Sequence, residues 1–209
     1  MALPLGADGP PRCGVVTIPV MVDVPAGPLV AAFRLGRTPV TNAEYAAFVE
    51  AGRAQEPPFW REPAFAAPGQ PVVGVTWFEA ADYAAWLGER SGARVRLPRE
   101  AEWEQAACGG LVRPKTAWGD APPEGEVPTG PLEGPWLAGR GRPNGYGLCD
   151  MGTIVHEWCL DWFDADLTRR ASRGGSWRHH VRFSAPHARS SLPPGFRYAD
   201  YGFRVLEEL

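Results

Sequence analysis

Every helical signal in this chain falls before residue 110 of 209, and each one is short. Thr41 is followed three residues later by Glu44, which makes a capping box; Tyr45, Phe48 and Val49 share one face, and Gly52 can close the end. The same grammar returns at Thr76 and Glu79, with Ala80, Tyr83, Ala84 and Leu87 at helical spacing and a stop near Ser91-Gly92. A third helix is expected from about Arg99 to Cys108: Glu100, Glu102 and Glu104 crowd its positive end, Trp103 and Ala107 share a face, and Gly109-Gly110 follow. From Leu111 to Pro143 glycine, proline and acidic residues dominate, which predicts a long irregular segment held against the surface. Beyond it, short aromatic or β-branched runs alternate with glycine at Ile154–Trp158, Gly174–Trp177 and Tyr201–Val205, and these read as short strands. The sum is an α+β domain with two or three short helices, small antiparallel sheets and high loop content, whose nine tryptophans must supply much of the packing.

Composition removes several function classes. Aspartate and glutamate number 24 against 21 lysine and arginine, a net charge of −3, so no basic surplus exists to neutralise a nucleic-acid backbone. No apolar run approaches the ~20 residues of a membrane helix, and Met1 to Val15 lacks the basic start and apolar stretch of a signal peptide; the expectation is a cytoplasmic protein folded as one domain over residues 1–209. Cys13, Cys108, Cys149 and Cys159 show no Cys-x-x-Cys spacing, so neither a zinc site nor a disulfide framework is indicated and buried free thiols are expected. Lys115 is the single lysine, Asn and Gln together number five, and Pro numbers 23, a balance that suits a heat-adapted protein. No Gly-x-Ser-x-Gly or phosphate-binding glycine loop is present.

Seven motifs then occur in order. They are Gly36–Tyr45 with Phe48, Pro71–Trp77 with Ala80 and Tyr83, Arg96–Glu104, Trp118-Gly119-Asp120, Asn144–Met151 leading to Glu157-Trp158, Arg173–Trp177, and Gly202-Phe203-Arg204. Over roughly residues 30 to 206 the chain resembles the formylglycine-generating enzyme (sulfatase-modifying factor) family, a variant of the C-type lectin fold. The resemblance implies a copper-binding pair of cysteines just after the Gly-Gly-Ser-aromatic motif, because soft Cu(I) takes thiolates. Counted without gaps from Ser176-Trp177, those positions hold His179 and Ser184, and no cysteine follows Cys159. The related ergothioneine-type sulfoxide synthases take iron from an additional His-rich helical domain that these residues do not contain. The family's calcium loop also departs, with Thr153-Ile154-Val155 where an asparagine is usual, although Glu157 remains; no cofactor is assigned. Arg99 replaces a helix-capping threonine, at a cost of about 1 kcal/mol unless another residue substitutes.

Two readings of function follow. In the first, the segment between Trp177 and the closing Gly-Phe-Arg resembles the ligand face of lectin-like domains. Trp177, Arg178, His179, His180, Phe183, His187, Phe196, Tyr198 and Asp200 would contact a protein, peptide or small-molecule ligand, since aromatic residues and arginine dominate binding hot spots. The segment also looks like the variable proteins of diversity-generating retroelements: from Arg178 to Leu206 it contains none of Lys, Gln, Glu, Met and Trp, which adenine mutagenesis of asparagine codons cannot produce. In the second reading the chain is a metal-dependent oxidoreductase, with an ion held by His179, His180 or His187, or with Cys149 or Cys159 recruited as redox ligands. Arg173, Gly174, Gly175, Gly202, Phe203 and Arg204 are assigned to the scaffold, Glu157 to structural hydrogen bonding, and the glutamates of the third helix to an exposed face.

Overall fold

The computed structural model describes residues 18–127 and 131–209, so Cys13 lies outside the described residues. Three helices form where capping and periodicity place them: α1 (Asn42–Glu50), α2 (Trp77–Ser91) and α3 (Glu100–Cys108). The Thr41 hydroxyl accepts from the Glu44 N–H at 3.3 Å while the Glu44 carboxylate accepts from the Thr41 N–H at 2.7 Å, and Thr76 and Glu79 repeat the exchange. Helix α3 solves its missing threonine from elsewhere in the fold. Glu102 accepts from the Arg99 N–H at 2.6 Å, and Asp161 accepts from the Glu100 N–H at 2.6 Å, so a strand carboxylate caps the helix.

Two four-stranded sheets complete the fold. The first joins β1 (Met21–Val24), β2 (Phe33–Gly36), β8 (Leu206–Glu208) and β3 (Val95–Arg96) in that order, all antiparallel, and places the last strand of the chain between two early ones. The second has the order β6 (Arg189–Leu192), β5 (Arg170–Arg173), β4 (His156–Trp162), β7 (Tyr201–Gly202). It is mixed rather than purely antiparallel, because β7 runs parallel to β4 with His156 opposite Tyr201 and Glu157 opposite Gly202. Strand β7 stops after two residues: the chain must cross at once to the first sheet, so the expected Tyr201–Val205 strand is cut short. The Gly174–Trp177 run is not a strand either. Gly174 takes φ 78°, where a side chain would strike the Gly152 backbone, and this left-handed residue ends β5 at Arg173.

The crossing segment is packed from both sides. Phe203 joins the rings of Tyr45, Phe48, Tyr83 and Trp86 in the main apolar cluster, with Tyr45 and Tyr83 stacked at 5.5 Å and Phe203 edge-on to Tyr83 at 5.4 Å. Trp103 lies with Phe33, Leu35, Leu148 and Met151 in a second cluster, and Phe65, Val73, Ile154, Val155, Trp177 and Ala199 form a third. The irregular segment after residue 110 is pinned as expected: Leu132 donates to the Trp177 carbonyl at 2.7 Å, Ala138 to Gly69 at 2.8 Å, and the Trp118 indole to Arg142 at 2.9 Å. Among the described residues, no helix is long and apolar enough to cross a membrane.

Between the sheets, Arg204 and Glu157 are both wholly buried and meet in a two-pronged ion pair of 2.6 and 2.8 Å. The Trp103 indole donates to the same carboxylate at 2.6 Å, and Arg204 donates to the carbonyls of Gly36 at 2.9 Å and Cys149 at 3.2 Å. Removing one partner leaves the other charge uncompensated in the core. Glu157→Gln or Arg204→Leu is therefore expected to destabilise the fold by about 3–5 kcal/mol in denaturant unfolding. Asp161→Ala, which removes only the cap of α3, is expected to cost about 1 kcal/mol in the same measurement.

Candidate functional site

Apart from strand β6, the segment from Ser176 to Asp200 runs in turns and irregular loops, and this decides which of its side chains meet. Trp177 is a wall: its indole donates to the Ala199 carbonyl at 3.2 Å and its ring packs on Phe65. Arg178 lies over that ring at 4.6 Å, with its guanidinium 3.6 Å from the buried Asp200 carboxylate. The Ser176 hydroxyl donates to Asp200 at 3.0 Å, accepts from the Arg178 N–H at 3.3 Å, and lies 3.2 Å from His179 Nδ1. The one Ser176 oxygen thus links Asp200, the Arg178 backbone and His179.

His156 completes this cluster and was missed as a candidate. Its ring stands 4.9 Å from Tyr201 and 5.3 Å from His179, and its buried Nδ1 has no hydrogen-bond partner. Burial pushes its pKa down to about 4, with Asp200 opposing the shift and His179 adding to it, so the ring is neutral at pH 7. The signal lay in strand alternation: Glu157 points into the core, so His156 had to face the other way, toward β7 and the turn carrying His179. Tyr198 and Tyr201 lie 6.3 Å apart, and Tyr198 runs nearly parallel to Phe196 at 6.4 Å. An aromatic track thus leads from exposed Phe196 to the polar cluster.

The other predicted residues go elsewhere. His180 begins a single 3-10 turn (Val181–Phe183), and its Nδ1 accepts from the Arg182 N–H at 3.1 Å. In its neutral form Nε2 then bears the hydrogen, so that nitrogen offers no lone pair to a metal. His180 and His187 line a cavity of about 420 Å³ with Asp120 and Lys115, separate from His179. Phe183 is 61% exposed and Phe196 51%, so neither belongs to the core. The three histidines do not converge, and no group of three or more His, Cys, Asp or Glu side chains among the described residues is arranged to hold an ion.

Neither metal implied by the resemblance fits the residues present. Ser184 is buried against Gly175 and Gly152 and carries no thiol, while His179 faces the serine–aspartate pair. Cys149 and Cys159 are buried and free, and burial raises both thiols above their ordinary pKa, Cys159 far above it, so neither supplies a thiolate. At the calcium loop Ile154 is in the apolar core and both Glu157 oxygens are engaged by Arg204 and Trp103. Thr153 Oγ1 is unpartnered there, and one oxygen is far from the six to eight that calcium takes.

Titration of His156 gives a direct check on the cluster. Its folded pKa is depressed, so below pH 6.5 the unfolded chain binds a proton that the folded chain refuses; stability falls as pH drops from 6.5 to 4, by on the order of 3 kcal/mol at most. Asp150 acts in the opposite sense between pH 6 and 3.8, because burial pushes its pKa up to about 6. The difference between wild type and His156→Phe isolates the histidine. The variant is expected to lose less stability than wild type between pH 7 and pH 4.5 in denaturant titrations.

The chain is 30% identical to the formylglycine-generating enzyme of Streptomyces coelicolor, an alignment covering 84% of this chain and 78% of that protein. The solved structure of PvdO from Pseudomonas aeruginosa superposes with a TM-score of 0.73 at 25% identity over 91% of both chains. Treponema denticola variable protein 1 shares the fold, with a TM-score of 0.75 at 21% identity over 93% of this chain and 94% of that one. Residues 25–209 match the sulfatase-modifying factor enzyme 1-like domain, and the chain belongs to that family.

Proposed function

We propose that this protein is a non-oxidase member of its family and works as a binding module, holding a protein, peptide or small-molecule ligand on the surface between Trp177 and Asp200. The observation that carries this reading is the loss of the thiolate pair: His179 and Ser184 stand at its positions, and the thiols at Cys149 and Cys159 are buried and protonated. What the surface offers instead suits recognition. Phe183, Phe196 and Tyr198 are exposed on turns fixed by the sheet beneath, with Arg178 and Arg182 stacked on neighbouring rings. The structural likeness to a Treponema denticola variable protein agrees with such a surface at the level of fold.

One observation favours the rival reading of a metal-dependent oxidoreductase. His156, whose Nδ1 is unpartnered, has its ring 5.3 Å from that of His179, and two adjacent imidazoles are a beginning of a metal site. Elemental analysis of the purified protein, paired with oxygen consumption in the presence of copper and a cysteine-containing sulfatase-motif peptide, separates the two. Substoichiometric metal and no peptide-dependent oxygen uptake are expected; bound copper with turnover would overturn the binding reading. Peptides selected from a display library should lose tenfold or more in affinity on Phe196→Ala or Tyr198→Ala, with the thermal midpoint of the protein unchanged.

A further inference from the structure

We infer a second ligand site, one that binds the phosphate group of a small organic phosphate, in the cavity of about 500 Å³ lined by Arg37, Trp136, Gly139, Arg140 and Arg142. It shares no lining residue with the Trp177–Asp200 surface. The chain as a whole is acidic, with a net charge of −3, yet this cavity gathers three guanidinium groups against one lining carboxylate, Glu126. Arg142 and Glu126 stand 3.5 Å apart and are both more than half exposed, so their attraction is small. Arg37 and Arg140 pair with no carboxylate among the described residues, so their charges stand unpaired beside the cavity.

The frame around these arginines is built. The Arg37 backbone is held by donation to the Val20 carbonyl at 2.7 Å and by acceptance from the Cys149 N–H at 2.8 Å, and its side chain is exposed. Arg140 lies over the Trp136 ring at 5.3 Å. Asp150, behind the cavity and fully buried, fixes the opposite wall: it accepts from the Gly139 N–H at 2.6 Å and from the Trp136 indole at 3.4 Å, and its charge, with Arg204 already paired to Glu157, offsets part of that of the lining arginines. A Cβ at Gly141 would lie 3.2 Å from the Trp136 ring and 3.3 Å from both Asp150 Oδ1 and the Glu126 carbonyl, a tight fit that keeps the rim close-packed.

The lining side chains carry an excess of two positive charges. A phosphate monoester carries about −1.5 to −2 at neutral pH, a carboxylate only −1, and the planar guanidinium fork matches phosphate oxygens in pairs.

Phenyl phosphate is the probe, with inorganic phosphate and benzoate beside it, in calorimetric titrations of the full chain. Saturable binding of phenyl phosphate is expected, roughly tenfold tighter than benzoate and weakened by added salt. Arg140→Ala and Arg37→Gln are each expected to weaken it about tenfold or more, through loss of a charge-assisted hydrogen bond. Arg140 is exposed, so its variant should keep the wild-type melting temperature, which excludes unfolding as the cause. Phe196→Ala, on the other surface, should leave phenyl phosphate affinity unchanged. Absence of saturation at millimolar ligand, equal affinity for benzoate, indifference to Arg140→Ala, or loss on Phe196→Ala would each overturn the site.

Discussion

Arg204 and Glu157 hold the two sheets in register with one another. Arg204 lies in the three-residue step between β7 and β8, where the chain leaves one sheet for the other, and Glu157 is the second residue of β4. Their ion pair joins that step to the strand beside it, to α3 through Trp103, and to the loops at Gly36 and Cys149 through carbonyls. Desolvating two charges is expensive, and a well-packed apolar pair of the same volume would be about as stable. What the apolar pair would lack is direction. Five donor groups of one guanidinium find acceptors in a single arrangement of these segments, so the pair selects that arrangement over its neighbours.

A second arginine does the same for the turn that bears the candidate site. Arg173, at the end of β5, is nearly buried and donates to Glu100 at 2.9 Å, to Glu104 at 3.0 Å and to the Pro186 carbonyl at 3.1 Å. Arg189, at the start of β6, adds two bonds to Glu100. The segment between Gly174 and Ala188 is thereby tied at both ends to α3. Loop residues that present ligand contacts need such rigid support, since ordering a mobile loop on binding costs affinity. Glu100 and Glu104 of α3 are therefore anchors of the C-terminal face rather than a solvated helix surface, while Glu102 pairs with Arg96.

With its ends tied, the face divides by depth. Ser176, Asp200, His156 and Tyr201 lie low, with Ser176 bonded to Asp200 and the Tyr201 hydroxyl to Ser172 and Ser190, while Phe183, Phe196 and Tyr198 stand out in solvent. The resemblance to formylglycine-generating oxidases implies thiolates at two points of this face, where this chain has His179 and Ser184. His179 has become part of a hydrogen-bonded network, and Ser184 has become a packing residue beneath the Gly-Gly turn.

Local chemistry was legible in the residues themselves. Capping boxes at Thr41 and Thr76, the glycine stop after Ser91 and the motif order from Gly36 to Arg204 depend on neighbours within a few positions, and helices α1 to α3, the fold class and the family all follow from them. The scaffold role of Glu157 and Arg204 was also readable, because a charged residue inside an apolar run needs a partner. Strand extents were not: Gly174 ends β5 and Arg204 turns the chain away from β7 for reasons that lie on other segments. Asp161 caps a helix that begins sixty-one residues earlier, and His156 meets His179 across a turn. The sequence alone determined the helices and the lack of cysteine between Cys159 and Leu209, since both rest on residue type and short spacing. Only the tertiary structure decided which histidines share a site and where arginines stand unpaired, because those are distances between parts of the chain that only the closed fold brings together.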